Sequence, residues 1–141
     1  MSDAPTLDQL PARLGFDLSL DALVIRDSLV EALRHDQESW FESSSQANDL
    51  WIRFGGLCDE AADRTPDATG RLGCMITLAL VRRDGGLMHQ YVIDLYDARY
   101  NAAMAGDTLT EQVIDQELDR LRPEPYYMAA FDEWKNSDEP T

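Results

Sequence analysis

Lysine is nearly missing from this chain: Lys135 stands alone beside eleven arginines, against eighteen aspartates and nine glutamates. The formal charge of −15 that results disfavours direct binding to nucleic acid or anionic lipid and favours basic protein surfaces. Scarce lysine beside abundant Ala, Arg and Asp also suits a GC-rich coding sequence or adaptation to high salt. Cysteine is equally sparse. Cys58 and Cys74 form no CxxC and have no histidine at ligand spacing, a pattern expected of buried thiols in a reducing compartment. Long apolar runs are absent, which excludes a membrane-spanning helix. Met1-Ser2-Asp3-Ala4-Pro5 has neither the basic nor the apolar region of a secretory signal, so the expected location is cytoplasmic.

The chemistry-bearing patterns are also thin. Gly55-Gly56 lacks the spacing of a phosphate-cradling loop and no lysine follows it, while Gly70 and Gly73 bracket the start of a β-prone run. His35 and His89 have no nucleophile motif around them. Asp59, Glu60 and Asp63, with Asp67 beyond, and the pair Asp94 and Asp97 are carboxylates of the kind hard cations prefer. With 27 acids in 141 residues such groupings arise freely, and no EF-hand loop is present. No catalytic residue, cofactor or metal is assigned.

What remains is ordinary globular composition, 44% apolar and 28% charged, read as a single domain over 1–141 with disordered ends at 1–5 and 136–141. Thr6 caps a short helix presenting Leu7, Leu10 and Leu14, which Gly15 stops. Residues 16–26 are ambiguous between strand and helix. Phe16, Leu18 and Leu20 alternate with polar residues, and helical spacing follows from Ala22. Ser28-Leu29-Val30-Glu31 reads as a capping box, so a helix is expected over at least Leu29 to Phe41, with a loop or cap at Ser43-Ser44-Ser45. Ala47, Leu50, Trp51, Phe54, Cys58, Ala61 and Ala62 make a helical face, although 50–54 is β-prone and Gly55-Gly56 interrupts the pattern. Arg64 to Gly70 reads as a loop.

Residues 72–82 and 87–97 are two β-rich runs around Asp84-Gly85, a preferred hairpin turn. In that register Cys74 faces Leu95, Ile76 faces Ile93 and Leu78 faces Tyr91, giving one apolar face. Asp107 or Thr108 then caps a helix to Leu121, ended by Pro123, and Pro125 opens a last helix carrying Tyr127, Phe131 and Trp134. The expected fold is α+β: a central antiparallel hairpin or small sheet packed by N-terminal and C-terminal helices.

Two surface features bear on function. Glu111, Asp115 and Asp119 fall at i, i+4 and i+8, an acidic helix stripe. Tyr96, Tyr100, Tyr126, Tyr127 and Trp134 lie among Asp94, Asp97, Glu124, Asp132 and Glu133, and aromatics beside acids suit a basic partner. The expected partner-binding residues are therefore Asp94, Tyr96, Asp97, Tyr100, Glu111, Asp115, Asp119, Tyr126, Asp132 and Glu133. They suggest a non-enzymatic binding protein that inhibits a basic, nucleic-acid-handling protein: a nuclease, a toxin or a ribonucleoprotein complex. Small acidic phage and plasmid proteins that block restriction or CRISPR complexes, and toxin-immunity proteins, are similar in size and charge, though not in motif. The competing expectations are an acidic homodimeric chaperone of the secretion type, a small enzyme or metal-dependent hydrolase, and an ordinary domain of a salt-adapted organism.

Overall fold

Where the hairpin turn was expected, the backbone makes a helix stop. Gly86 has φ +87°, the left-handed region in which a Cβ is strained. The Leu87 amide donates to the Arg82 carbonyl at 2.9 Å and the Gly86 amide to the Arg83 carbonyl at 3.0 Å, the paired bonds of a Schellman cap. Gly15 and Gly106 close two other helices in the same way, with Phe16 reaching back to Pro11 and Asp107 to Ala102.

The computed structural model describes residues 5–40, 42, 45–64 and 67–137, and among these it is helical, without strands. A 3₁₀ turn (Leu7–Gln9) leads into α1 (Leu10–Arg13), followed by α2 (Leu20–His35), α3 (Gln46–Asp63), α4 (Asp67–Asp84), α5 (Met88–Met104), α6 (Thr108–Leu121) and α7 (Tyr127–Ser137). No helix of the described residues is long and apolar enough to cross a membrane.

The α+β expectation is thus overturned. Residues 72–82 belong to α4 and 87–97 to the Leu87 cap and α5. The error has a geometric cause. Leu72, Ile76 and Ala79 enter one apolar cluster, while Cys74 and Val81, with Leu78 against them, enter another. Each set has helical spacing, and the two are offset by two residues, which puts them on opposite sides of the helix. Read in order, Leu72, Cys74, Ile76 and Leu78 mimic a strand's alternation. Helix α4 packs against α1, α2, α3 and α5, so no polar face is left to reveal the true period. The two runs do pack on each other, but as helices α4 and α5 and not as paired strands.

Caps settle the other ambiguities. Residues 16–19 are irregular, and the Ser19 hydroxyl accepts the Ala22 amide at 3.2 Å to start α2. Ser28 therefore lies inside that helix, which ends at His35, short of the expected Phe41. Ser45 caps α3 through Asn48 at 3.0 Å, and 50–54 is helical, continuing unbroken through Gly55-Gly56. Asp107 caps α6 through Thr110 at 3.1 Å. The expected loop at 64–70 is shorter, since α4 begins at Asp67, and Asn136 and Ser137 belong to α7. The expectations for Phe41, Ser43, Ser44, Pro66 and the outermost residues 1–4 and 138–141 lie outside the described residues.

Two cores result, sharing α4. One gathers α1, α5, α6 and α7 around Tyr91, Leu95 and Ile114; the other gathers Phe16, α2 and α3 around Leu33, Phe54 and Cys58. Burying this apolar surface, at about 25 cal/mol per Å², is the main force assembling the helices. Gly73 permits a close approach: a Cβ there would lie 2.5 Å from the Phe16 Cβ.

Candidate partner-binding face

Helix α5 repeats an aromatic or methionine at i, i+4 and i+8: Tyr96, Tyr100 and Met104. That spacing draws one stripe down the helix. Its first member packs on α7, where the Tyr96 ring stacks on Trp134 with centroids 5.0 Å apart and lies 5.2 Å from Phe131. The Tyr96 and Tyr127 hydroxyls are hydrogen-bonded to each other. Burial, then this bond, pushes the Tyr96 hydroxyl well above the usual phenol range, so it stays protonated. The rest of the stripe is open, with Tyr100 52% and Met104 72% exposed. Beside it lies a groove of about 310 Å³ lined by Tyr96, Arg122, Tyr127, Met128 and Phe131.

Polar contacts hold the wall of this face. The Trp134 indole Nε1 donates to Asp97 at 2.7 Å, and His89 Nε2 meets Glu133 at 3.0 Å. Tyr126 is half-buried and helps line a separate cleft with His89 and Trp40; burial raises its hydroxyl pKa. Asp132 is exposed on α7. Tyr96, Asp97, Tyr100, Asp132 and Glu133 are carried by the packed pair α5 and α7, two helices where the sequence pattern expected a strand and a helix.

The acidic residues behave differently. Asp94 is largely buried, its two carboxylate oxygens each 2.7 Å from Arg82 Nη1, while the guanidinium lies 4.3 Å from the Trp51 ring centroid and 5.5 Å from that of Trp40. Burial pushes the Asp94 carboxyl up, and Arg82 pulls it down against that. Glu111 and Asp115 both engage Arg99 of α5, Glu111 at 3.7 Å, and Asp119 pairs with Arg122 at 3.2 Å. Asp94, Asp97, Glu111, Asp115 and Asp119 therefore do not form one unopposed acidic face. Several clasp neighbouring helices instead.

The same holds for other arginines: Arg71 meets Asp59 at 3.3 Å and Arg83 meets Asp8 at 2.7 Å, both between elements. With so many cations committed to internal pairs, Asp49, Glu60, Asp63, Glu124 and Asp132 stay exposed and give the surface its negative field. Sequence reasoning missed Arg82, Arg99 and Met128. The i, i+4 step from Tyr100 to Met104 was the one signal in the chain that pointed to the open stripe.

His35, exposed near the end of α2, sits 3.7 Å from Glu31. Among the described residues no group of three or more His, Cys, Asp or Glu side chains is placed to hold a metal ion. Comparison with protein-family models, with curated proteins and with solved structures finds no match to this chain.

Proposed function

We propose that this chain is a non-enzymatic binding protein that neutralises a basic, nucleic-acid-handling protein by docking through α5 and α7. The observation that carries the reading is the open groove lined by aromatics and exposed Met128, with exposed Tyr100 and Met104 following Tyr96 at i+4 and i+8 along α5. Tyr and Met offer large contact area, and such residues dominate the energetics of protein interfaces. The surplus of solvated carboxylates adds long-range attraction, which accelerates encounter with a cationic surface and fades as salt screens it. Division of labour follows: the groove supplies the grip and the acids the approach.

Affinity capture from the native host at low and high salt tests this, using wild-type protein and the double variant Tyr100→Ala/Met128→Ala. The expected result is a basic nuclease, toxin or ribonucleoprotein at low salt, lost at high salt and weakened about tenfold or more by the variant. Recovery of nothing basic, or of an unfolded client polypeptide whatever the salt, overturns it.

A further inference from the structure

A cavity of about 150 Å³ opens between α3, α4 and α5, lined by Trp51, Met75, Leu78, Arg82, Asp94 and Asp97. All six are partly exposed, and none lines the groove beside α7. Its charges do not cancel. Arg82 brings one positive charge against two negative ones from Asp94 and Asp97, so one further monovalent cation would make the cavity neutral. Both Asp94 oxygens lie 2.7 Å from the same Arg82 Nη1, and the buried Arg82 Nε has no hydrogen-bond partner among the described residues. That is an end-on contact, not the two-nitrogen fork in which an arginine grips a carboxylate most firmly. Asp97 accepts the Trp134 indole at 2.7 Å. A carboxylate has about four acceptor sites, so these donors do not fill either group.

The walls select among cations. A hard metal ion takes more oxygen ligands than two carboxylates supply, and a lysine ammonium keeps its water strongly. A guanidinium is flat and weakly hydrated, forks onto carboxylates and stacks on aromatic rings. Arg82 shows this within the cavity itself, its guanidinium lying 4.3 Å from the Trp51 ring centroid. Met75 and Leu78 offer apolar contact to the methylene stem that carries such a group.

We propose that this cavity is an arginine-binding subsite that takes one exposed arginine of the basic partner, a role that rests on the docking through α5 and α7 inferred above. The guanidinium sits on Asp94 and Asp97, and its stem lies along Met75 and Leu78. Asp97 links the subsite to the groove, because the indole it accepts from belongs to Trp134, which stacks on Tyr96. One charged anchor on one flank of α5 and one apolar anchor on the other fix the direction in which the partner lies. A partner with lysine in place of that arginine binds less well.

The test titrates the wild-type chain, Asp97→Asn and Leu78→Phe with the blocked peptide acetyl-Gly-Arg-Gly-amide, followed by tryptophan fluorescence and amide NMR shifts. Asparagine keeps an acceptor for Trp134 and removes the charge; phenylalanine fills the cavity and leaves every charge in place. The expected result is saturable binding with shifts around the cavity, weakened about tenfold or more in each variant and with citrulline replacing arginine. Thermal melts report whether each variant is folded, and Asp97→Asn decides alone if Leu78→Phe is not. Equal binding of the citrulline peptide, or wild-type affinity in the folded variants, would overturn the subsite. The same variants enter the affinity capture. A basic protein recovered undiminished by either one overturns the subsite and leaves the α5–α7 reading standing. Peptide binding with no basic protein recovered supports the subsite and removes that reading.

Discussion

The two cores that share α4 are built from different materials. On the α2–α3 side the interior is Leu, Ala, Phe and Cys, and the long-range side-chain hydrogen bonds of Arg34 and Gln37 go to the backbone carbonyls of Asp84 and Gly85. On the α5–α7 side, side chains bond to one another across helices: Tyr91 to Glu117, Tyr96 to Tyr127, Trp134 to Asp97 and Arg99 to Asp115. Apolar packing is tolerant of small shifts, whereas a buried polar pair must meet at one distance and angle or lose its value. The C-terminal side is thus the more exactly positioned, and it carries the open groove. The N-terminal side carries α3, with two glycines in its interior, and both cysteines.

Arg82 joins the two, since Trp51 and Trp40 cover it from one side and Asp94 pairs with it from the other. Breaking that junction is the largest effect expected. Arg82→Ala leaves Asp94 largely buried without its cation and should cost about 3–5 kcal/mol in denaturant unfolding, whereas Arg82→Met/Asp94→Leu should come close to wild type. If the single variant costs no more than the double, the pair is not what joins the halves.

A smaller effect belongs to the C-terminal side alone. Burial works to raise the Glu117 carboxyl, but hydrogen bonds from Arg120 and Tyr91 outweigh it and hold the pKa below its ordinary 4.5. A depressed carboxyl stabilises the fold at pH above its unfolded value, and that contribution disappears as pH falls through the folded value. Glu117→Gln should flatten the loss of stability below pH 4.5, and Tyr91→Phe should cost about 1 kcal/mol at neutral pH. An unchanged acid limb in Glu117→Gln would remove the polar contrast between the halves.

The smallest effect has the opposite sign and lies on the N-terminal side. Gly56→Ala, exposed on α3, should stabilise by about 0.5–1 kcal/mol in thermal or denaturant melts, because no Cβ contact opposes it. A loss would mean that glycine at this position does not weaken α3.

Local chemistry was legible residue by residue. The stop at Gly15, the Asp107 cap, the end of α6 before Pro123 and the aromatic face of α7 depend on neighbours a few positions away, and the sequence pattern places them correctly. Asp84-Gly85-Gly86 was legible only as a place where the chain turns. Left-handed glycine serves a hairpin and a Schellman cap equally well. That aromatics and acids recur on α5 and α7 was legible in the sequence; that these two helices pack together was not. The fate of the acidic stripe was not, since Arg99 reaches Glu111 and Asp115 from another helix.

By itself, then, the sequence determined the charge, the caps, the helix ends and the quantity of apolar surface to be buried, all of which are sums or short-range contacts. Tertiary structure decided that 72–97 is two helices and not two strands, because α4 is covered on several sides and its two apolar stripes interleave. It also decided which carboxylates face solvent and which clasp a neighbouring helix. An ion pair between helices depends on their separation and rotation, and packing alone sets those.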